Sequence, residues 1–476
     1  MSKKEKILFC SSEVYPFAKT GGLGDVSHAL PRALLEDFDV DVLLPLYRGI
    51  KKEEFGILSL EKKYQIFIKE RSYEVELFGC VYEGVNYLFV YEPLLCEREF
   101  LYGTPNAGYS DNALRFALFN YAIVELLKEK HYSIAHLNDW QGALVPLLLQ
   151  DEPNIQTKTV LTIHNLAYQG LFAFEELENI GIDKRHFHMD ALEFYGEINF
   201  LKAGIAFSDA VTTVSKQYAK EILTPAFGCG LDGFLTHHKT KLRGILNGID
   251  TEHFHPAHDK LIAFTYETPK GKVANKKSYL KEHKITGINK PLFAFIGRFT
   301  EQKGITLLRE ALEELAKLPC NIVILGEGEE ALQNPLKELA KKYTNIHLFF
   351  EYNEVHSHCI YASADFLLMP SLFEPCGLNQ MIAMSYGALA IVHSVGGLKE
   401  SVLDFKRYDA QSKKGFGVVF KNPTQKAFLV AILEAFALFK RKKEYNNLIE
   451  HNMRCDFSWR KSAQSYKKLY KELQGN

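Results

Sequence analysis

Short apolar runs alternate with helical patterns along almost the whole chain. In the first half most of these runs show no alternation of apolar and polar residues, which is typical of strands buried on both faces of a parallel sheet. Helical patterns follow several of the runs, as in Asp25–Leu35 and Gly142–Gln150. The predicted strands are Lys6–Cys10, Val40–Pro45, Tyr87–Tyr91, Ser133–Leu137, Thr159–His164, Ala210–Val214 and Leu242–Leu246. We therefore expect an α/β domain built on a doubly wound sheet.

The segment Tyr64–Tyr91 has a different pattern, because apolar and polar residues alternate along it. It also contains a Gly-Val-Asn turn sequence. Alternating runs that are joined by a glycine-containing turn are typical of an antiparallel hairpin. We predict such a hairpin within the first domain.

A second series of predicted strands follows a segment of different character. Over Asp250–Lys290, Lys, His, Gly and Thr dominate and no apolar periodicity is sustained, which indicates a domain junction. Helical patterns such as Gly304–Leu318 and Asn379–Tyr386 then separate the new strands. These strands are Pro291–Ile296, Asn321–Leu325, Ile346–Phe350, Asp365–Met369, Leu389–His393 and Gly417–Phe420. Alternating strands and helices in both halves predict two Rossmann-like domains.

The end of the chain carries one apolar helical face. Its members recur at spacings of three and four and are Trp459, Ala463, Tyr466, Tyr470 and Leu473. The residues leave two placements open for this helix. It either packs on its own domain or crosses back to brace the first domain.

Composition and charge limit the classes of function. The chain has 476 residues, which is too long for one ordinary core and agrees with two domains. Its 57 basic and 58 acidic residues give a net charge of −1, which argues against a nucleic-acid-binding surface. The eight cysteines show no C-x-x-C pair, so we expect reduced thiols. The apolar run Ile7–Cys10 is too short for a signal peptide or a membrane span, so we expect a cytoplasmic protein without a membrane partner.

A glycine-rich turn, Lys19–Asp25, lies between the first predicted strand and a helical pattern. A turn that opens a helix offers backbone N–H groups and a positive dipole end to an anion. The Lys19 ammonium would complement a phosphate or sugar oxygen there. The spacing of the glycines matches neither the dinucleotide fingerprint nor the P-loop. The alternative is a plain turn that needs glycine for a positive φ.

A second turn, Phe373–Gln380, also lies between an apolar run and a helical pattern. Pro375 suits the first turn of a helix, so Gly377 and Leu378 would offer backbone N–H groups. Glu374 would add a fixed carboxylate beside a hydroxyl-rich ligand or a developing cation. The alternative is a glutamate that only favours the helix dipole. Two such turns, one in each half, predict a cleft that binds a charged small molecule from both sides.

Other polar residues fall where predicted strands end. Arg298 and Lys303 follow the strand Pro291–Ile296, at the edge of the sheet where ligands bind in open α/β folds. These two cations could hold a diphosphate, and the alternative is a solvated loop. Asp139 and His164 end two strands of the first half in the same way.

One pattern, Asp39-Val-Asp41, matches the D-x-D signature of metal-dependent sugar-nucleotide transferases. It lies at the start of a predicted strand, at the end away from the expected cleft. We therefore do not expect these carboxylates to bind a catalytic metal.

Taken together, these motifs resemble the bacterial glycogen synthases and plant starch synthases, the glucan synthases that use ADP-glucose. They occur in family order and span almost the whole chain. The matching stretches are Lys19–Leu23, Asn138–Trp140, His164–Gly170, Asn247–Asp250, Arg298–Gly304, Phe373–Leu378 and Val395–Leu398. The resemblance implies a GT-B fold, in which two Rossmann-like domains face each other across a deep cleft. The domains would span residues 1–245 and 246–457, and a helix at 458–476 would return to the first domain.

The same resemblance implies a reaction. Glucose would pass from ADP-glucose to the 4-hydroxyl at the non-reducing end of an α-1,4-glucan such as glycogen or a maltooligosaccharide. The α configuration would be retained, and neither a cofactor nor a metal is implied. By resemblance, Glu374 lies by the donor glucose, while Arg298 and Lys303 hold the diphosphate. Asp139 and His164 would line the sugar end.

Further donor-pocket residues are implied by the resemblance. Lys19 and Gly22 would approach the phosphates, and Tyr352 would stack on the adenine. The others are Asp25, Asn165, Asn247, Cys376, Gly377 and Leu378. Two positions depart from the family pattern: Gly24 stands where many bacterial members have Ala, and Asn379 where many have Thr. Neither departure removes a charge or a ring.

Three alternative functions can be compared with the ADP-glucose-using glucan synthase. A sister enzyme of the same fold would be a UDP-glucose-using transferase, or one that makes sucrose or trehalose phosphate. A non-catalytic glucan-binding relative is disfavoured because Glu374, Arg298 and Lys303 are all retained. A Rossmann oxidoreductase is disfavoured because the G-x-G-x-x-G fingerprint is missing. The sequence leaves open whether retention uses a carboxylate nucleophile or same-face attack.

Overall fold

The structure is a computed structural model that describes residues 4–104, 107–351 and 353–475. Within these ranges no helix combines the length and the apolar character that a membrane span requires.

The chain forms two compact units. The first combines Met1–Val214, Ala219–Ile245 and Trp459–Asn476, and the second combines Ser215–Tyr218 and Leu246–Ser458. The last helical segment of the chain therefore belongs to the first unit.

A nine-stranded sheet dominates the first unit. The strands of this unit are β1 (Lys6–Cys10), β2 (Asp39–Pro45), β3 (Leu58–Ile68), β4 (Arg71–Tyr82), β5 (Val85–Tyr91), β6 (Gly103–Thr104), β7 (Ala107–Gly108), β8 (Ile134–Asn138), β9 (Lys158–Ile163), β10 (Leu171–Phe172), β11 (Glu193–Phe194), β12 (Glu197–Asn199), β13 (Ala210–Thr213) and β14 (Leu242–Gly244). The sheet has the order β14-β13-β9-β8-β1-β2-β5-β4-β3. Neighbours from β14 to β5 are parallel, which confirms the strands predicted from uninterrupted apolar runs.

The antiparallel part of this sheet is longer than predicted. The hairpin expected within Tyr64–Tyr91 is confirmed in β4 and β5, and β3 adds a third antiparallel strand. The predicted segment did not include the start of β3, Leu58–Lys63, where no residue is buried and the register shifts between Ser59 and Lys62.

Helices of very different length cover this sheet. They are α1 (Gly22–Leu34), α2 (Lys52–Phe55), α3 (Pro93–Cys96), α4 (Asn112–Glu129), α5 (Val145–Leu148), α6 (Glu176–Asn179), α7 (Phe200–Phe207), α8 (Lys216–Glu221) and α9 (Asp232–His237). The helix predicted over Gly142–Gln150 is wrong in extent. Only α5 is α-helical there, with a 3₁₀ turn on either side.

A seven-stranded, fully parallel sheet forms the second unit. Its strands are β15 (Leu292–Ile296), β16 (Asn321–Leu325), β17 (Ile346–Phe349), β18 (Phe366–Met369), β19 (Leu389–His393), β20 (Val402–Asp404) and β21 (Gly415–Phe420). Their order is β17-β16-β15-β18-β19-β21-β20. The helices are α10 (Pro269–Glu282), α11 (Ile305–Ala316), α12 (Glu330–Lys342), α13 (Glu354–Ser363), α14 (Asn379–Ser385), α15 (Gly396–Ser401), α16 (Gln425–Lys440) and α17 (Lys442–Arg454).

The helix α10 lies in the stretch where the sequence shows no sustained apolar period. Its buried residues are Lys272, Asn275 and Lys276 together with Tyr279 and Leu280. Lys272 Nζ donates to the carbonyls of Tyr361 and Tyr386 at 2.7 and 2.9 Å, and Lys276 pairs with Asp365 at 2.6 Å. Burial lowers the pKa of Lys272 to about 7. Hydrophobic periodicity misses this helix, because three of its five buried residues are polar.

The C-terminal helix, α18 (Arg460–Gln474), packs on the first unit, which is one of the two placements that the sequence left open. The Tyr470 hydroxyl lies 2.6 Å from Nδ1 of the buried His136 on β8, and its ring packs edge-on against Phe38. Lys467 also forms an ion pair with Asp37.

Candidate active site

The predicted site residues of the first unit follow the carboxyl ends of neighbouring strands. The turn Lys19–Asp25 comes after β1, Asp139 comes directly after β8, and His164 comes directly after β9. These strands are adjacent in the sheet. Because parallel strands end at the same edge, their loops lie on the side where open α/β folds bind ligands.

In the turn Lys19–Asp25, Gly22 is the first residue of α1. Lys19 Nζ lies 2.7 Å from Asp25 Oδ1, and both side chains are partly exposed. The same ammonium lies 5.6 Å from the centre of the Tyr15 ring. A cation is therefore held at the start of the helix by one carboxylate and one aromatic face.

A carboxylate that sequence reasoning missed holds this turn from inside. Glu13, which is 5% exposed, accepts hydrogen bonds from the Thr20 and Gly21 amides at 2.6 and 3.1 Å. The Thr20 and Tyr102 hydroxyls donate to it at 2.7 and 2.9 Å. The prediction that this turn offers free amides is therefore wrong for Thr20 and Gly21, because an internal anion already uses them. A single acid in an apolar segment gave no signal of this role.

Asp139 and His164 are in direct contact. Asp139 Oδ1 accepts the His164 amide at 2.7 Å. Burial raises the pKa of Asp139 to about 7, although hydrogen bonds from the His164 and Asn165 amides act in the opposite direction. The backbone of Asp139 has φ 52° and ψ −170°, a sparsely populated combination of the kind that clusters at functional sites. The next residue, Trp140, is buried and packs edge-on against Phe116, which fixes the loop.

The protonation state of His164 follows from its partners. Nε2 lies 2.8 Å from Asn138 Oδ1, and the Asn138 amide nitrogen donates to the Cys10 carbonyl. That donation fixes the amide orientation, so His164 Nε2 is the donor and Nδ1 carries a lone pair. Burial lowers the pKa of His164 to about 3. A neutral imidazole that accepts through Nδ1 can bind a sugar hydroxyl.

In the second unit the predicted carboxylate meets one of the predicted cations. Glu374 is 5% exposed, and both of its carboxylate oxygens accept from Lys303 Nζ, at 2.8 and 2.7 Å. Ser371 Oγ adds a third hydrogen bond at 2.9 Å. Sequence reasoning missed Ser371, three residues before the glutamate. The carboxylate is thus held in one orientation by a partly exposed ammonium and a buried hydroxyl.

Two glycines let the backbone pack tightly around this pair. Gly304, which ends the turn after Lys303, has φ 69°, and a Cβ there would lie 2.1 Å from the Pro370 carbonyl oxygen. Gly396 has φ 45°, and a Cβ there would lie 1.9 Å from the Glu374 carbonyl oxygen. Only glycine fits either position, so these two loops are locked against the segment that carries Glu374.

The remaining donors around Glu374 are open. Arg298 is exposed and makes no ion pair or side-chain hydrogen bond within the described ranges. No residue in the described part of the chain accepts from the Gly377 and Leu378 amides. Pro375 precedes the helix instead of occupying its first turn, because α14 begins at Asn379. That prediction is wrong, since Gly377 adopts φ 71° and interrupts any helical path from Pro375.

Asn247 and Cys376, both predicted to bind the donor, lie against each other. A backbone hydrogen bond from Asn247 reaches the buried Cys376 thiol, whose pKa burial raises to about 12. The Asn247 side chain is 4% exposed, and its Oδ1 has no hydrogen-bond partner among the described residues. An unsatisfied buried amide oxygen is costly, so this atom is a candidate for ligand contact.

Three further residues named in the sequence analysis are Tyr352, Asn165 and Asp41. Tyr352 lies outside the described residues. Asn165 Oδ1 accepts the Ala167 amide at 3.1 Å, so its side chain shapes the loop after His164. The D-x-D residue Asp41 is buried in β2, where the Tyr132 hydroxyl donates to it at 2.6 Å and Lys6 pairs with it at 2.9 Å.

Family models match both halves of the chain. Residues 6–237 match the starch synthase catalytic domain, and residues 279–452 match the glycosyl transferases group 1. A glycogen synthase from Aquifex aeolicus is 42% identical over 99% of this chain and 100% of its own length. A glycogen synthase from Geotalea daltonii is 40% identical over 98% of each chain.

Solved structures show the same relationship. The catalytic domain of starch synthase IV from Arabidopsis thaliana, bound to ADP and acarbose, matches with a TM-score of 0.91 and 31% identity over 100% of both chains. A sucrose-phosphate synthase from Thermosynechococcus elongatus matches with a TM-score of 0.64 and 17% identity over 99% of this chain and 100% of its own. The second likeness concerns the fold alone. These comparisons confirm the predicted GT-B fold, with a Rossmann-like sheet in each unit.

Proposed function

This chain belongs to the family of bacterial glycogen synthases and plant starch synthases. On that basis we propose a role for each site residue in glucose transfer. The chain is a glycosyltransferase that elongates a glucan. We assign ADP-glucose as the donor and the non-reducing-end 4-hydroxyl of an α-1,4-glucan as the acceptor. The α configuration is retained in this proposal.

The observation that carries the proposal is the environment of Glu374. Its carboxylate is buried, yet one ammonium and one hydroxyl hold it in a single orientation. Breaking the anomeric bond of the donor builds positive charge on the sugar. A preorganised carboxylate stabilises such charge without reorienting at the moment of reaction. We therefore assign Glu374 to the donor glucose.

The negative charge that grows on the leaving ADP needs cations. Lys303 Nζ has two carboxylate contacts but is partly exposed, so a bound diphosphate can share this ammonium with Glu374. Arg298 has no partner among the described residues, and its planar fork suits phosphate oxygens. The open Gly377 and Leu378 amides add further donors. We assign these four groups to the diphosphate.

The first unit supplies a second set of groups for the same reaction. We assign Lys19 and the start of α1 at Gly22 to phosphate oxygens, with Asp25 orienting Lys19. We assign Asp139, the neutral His164 and Asn165 to sugar hydroxyls. In the second unit, the unpartnered Oδ1 supports a ligand contact for Asn247, beside Cys376, and Tyr352 stays a proposal for the adenine.

Metal-free catalysis and a cytoplasmic location complete the proposal. The carboxylate of Asp41 is already used by a tyrosine, a lysine and Asn86, which leaves it poorly suited to a catalytic cation. All eight cysteines are free thiols, which supports a reducing compartment.

The test is a donor assay with glycogen as the acceptor. The purified chain receives radiolabelled ADP-glucose or UDP-glucose, each with and without EDTA. We expect transfer from ADP-glucose with a kcat/KM at least about tenfold above that for UDP-glucose, a difference of about 1.4 kcal/mol. We expect no loss of activity in EDTA. Transfer from UDP-glucose alone would identify the rival donor. Glycogen binding without any transfer would identify a non-catalytic relative. Loss in EDTA that magnesium restores would return Asp39 and Asp41 to consideration.

A further inference from the structure

A cluster of metal-binding side chains lies in the second unit and includes none of the residues assigned above. Glu354 and His358 are four residues apart on α13, so both point to the same face of the helix. His253 comes from the segment that precedes α10. One ligand atom of each of these three side chains lies within 4.8 Å of the other two. His253 Nε2 is 2.9 Å from Glu354 Oε1, and the His253 and His358 ring centres are 5.0 Å apart.

A carboxylate that accepts a hydrogen bond from Nδ1 orients His358 as a metal ligand. The residue is fully buried, and its Nδ1 lies 2.7 Å from Asp259 Oδ2. The Tyr386 hydroxyl donates to the same oxygen at 2.6 Å. The other oxygen, Asp259 Oδ1, accepts the Leu261 amide at 2.8 Å. Asp259 is therefore a carboxylate that accepts the Nδ1 proton, which leaves the lone pair of His358 on Nε2.

That lone pair meets no donor among the residues that the structure describes. His358 Nε2 is buried and has no hydrogen-bond partner in the described ranges. Unsatisfied buried polar atoms are rare and costly. An imidazole whose other nitrogen donates to a carboxylate is the usual arrangement of a metal-bound histidine. The His253–Glu354 ion pair alone explains two members of the cluster and leaves the third without a function.

We propose that His253, Glu354 and His358 bind one Zn²⁺ ion or a similar borderline divalent cation. Two imidazoles and one carboxylate are a common zinc donor set, with water as the fourth ligand. Mg²⁺ and Ca²⁺ prefer all-oxygen sites and are disfavoured by the two nitrogens. Ligand bonds of about 2.0–2.1 Å place tetrahedral ligands roughly 3.3 Å apart. The three ligand atoms lie within 4.8 Å of one another, so side-chain movement would bring them to that spacing when the ion binds. The partial exposure of His253 and Glu354 gives the ion a path of entry.

The ion would have a structural effect. His253 follows the Asn247–Asp250 motif by a few residues, and Glu354 begins α13. A metal bridge would tie these two segments together within the second unit. Because the ligands are not present together in an unfolded chain, binding energy would appear as stability.

The experiment uses the full-length chain after removal of metal with EDTA and dialysis. ZnCl₂ is titrated by calorimetry, and thermal unfolding is followed with and without zinc. We expect one strong site per chain and a rise in the unfolding midpoint of roughly 5 °C at a hundredfold excess over Kd. MgCl₂ should produce neither effect.

Three variants make the test specific. His253→Ala and Glu354→Gln change partly exposed ligands, and each should weaken zinc binding at least about tenfold. His258→Ala is the matched control, because this exposed histidine lies five residues from His253 and belongs to the neighbouring stacked pair with His255. It should bind zinc as the wild type does. No zinc effect on the wild type, or an effect that survives in both ligand variants, would overturn the proposal. The outcome does not depend on which donor sugar the enzyme uses.

Discussion

The two glycine-rich turns look alike in the sequence but differ in whether their backbone amides already donate to a carboxylate of the protein. In Lys19–Asp25 the amides of Thr20 and Gly21 are occupied by the internal carboxylate of Glu13. In Phe373–Gln380 the Gly377 and Leu378 amides donate to no described residue, while the local carboxylate is paired with a lysine. One turn satisfies its amides internally, and the other keeps them available.

This difference shows that a glycine-rich strand-to-helix turn does not define an anion site by itself. What matters is whether the protein already supplies an anion. A buried carboxylate such as Glu13 stabilises its turn by accepting several hydrogen bonds, and it reduces the positive potential that a phosphate would meet. The first turn therefore contributes mainly the Lys19 ammonium, whereas the second contributes a carboxylate and open amides. Each prediction below tests one side of this contrast.

The largest effect is expected at Glu374. Glu374→Gln keeps the size of the side chain and one oxygen for Lys303, but it removes the negative charge. We expect kcat to fall at least about a hundredfold, which is the usual scale for loss of a positioned catalytic group. Steady-state transfer to glycogen measures this, with circular dichroism to verify the fold. Turnover like that of the wild type would remove Glu374 from the reaction.

Arg298→Ala should have the next largest effect. In the proposed site its guanidinium meets charge that grows in the transition state, so we expect kcat to fall roughly tenfold to a hundredfold while glycogen binding changes little. Arg309→Ala, an exposed arginine on the following helix α11, is the control and should behave as the wild type. Equal losses of kcat in the two variants would mean that the net charge of this region, and not the position of Arg298 on its loop, determines the effect.

A glycine in the first turn and a glycine that packs against the second turn should tolerate a methyl group differently. At Gly396 a Cβ would lie 1.9 Å from the Glu374 carbonyl oxygen, so Gly396→Ala must displace the catalytic segment. We expect about a tenfold loss of kcat and a lower unfolding midpoint. At Gly24 a Cβ would lie 3.0 Å from Lys19 Cγ, the middle of a flexible side chain. Gly24→Ala should change kcat/KM less than about threefold, because alanine also favours the helix. A severe defect in Gly24→Ala would show that the first turn is as constrained as the second.

A spectroscopic prediction concerns the first unit. His164 has a pKa of about 3 because it is buried, so its imidazole signals should not shift between pH 5 and 8. The His164→Gln variant identifies these signals, and the other imidazoles provide the reference.

Since the folded pKa is below the unfolded value of about 6.5, His164 destabilises the fold as pH falls from about 6.5 toward 3. Asp139, with a raised pKa of about 7, acts oppositely, and its contribution weakens as pH rises from about 4 to 7. A midpoint near 6.5 for His164 would contradict a neutral imidazole.

The sequence predicted most of the parallel strands, because uninterrupted apolar runs such as Asn321–Leu325 are buried on both faces. It also placed Arg298, Lys303 and Glu374 on loops at one edge of a sheet. It missed α10, since the polar residues Lys272, Asn275 and Lys276 occupy three of the five buried positions of that helix. It could not find Glu13, because a hydrogen-bonding role across the chain leaves no local pattern.

Glu13, which hydrogen-bonds the first turn, and Glu374, which lies within the second, differ in the roles proposed for them. The direct measurement compares Glu13→Gln and Glu374→Gln for both kcat and free energy of unfolding. Glu13→Gln should lower stability by about 1–3 kcal/mol, the cost of disturbing a buried acceptor, and keep more than about a tenth of the turnover. Glu374→Gln should lose almost all turnover, and its stability should fall by a similar amount, because the Glu374 carboxylate also accepts buried hydrogen bonds. Similar losses of turnover in both variants, with similar stabilities, would contradict the account.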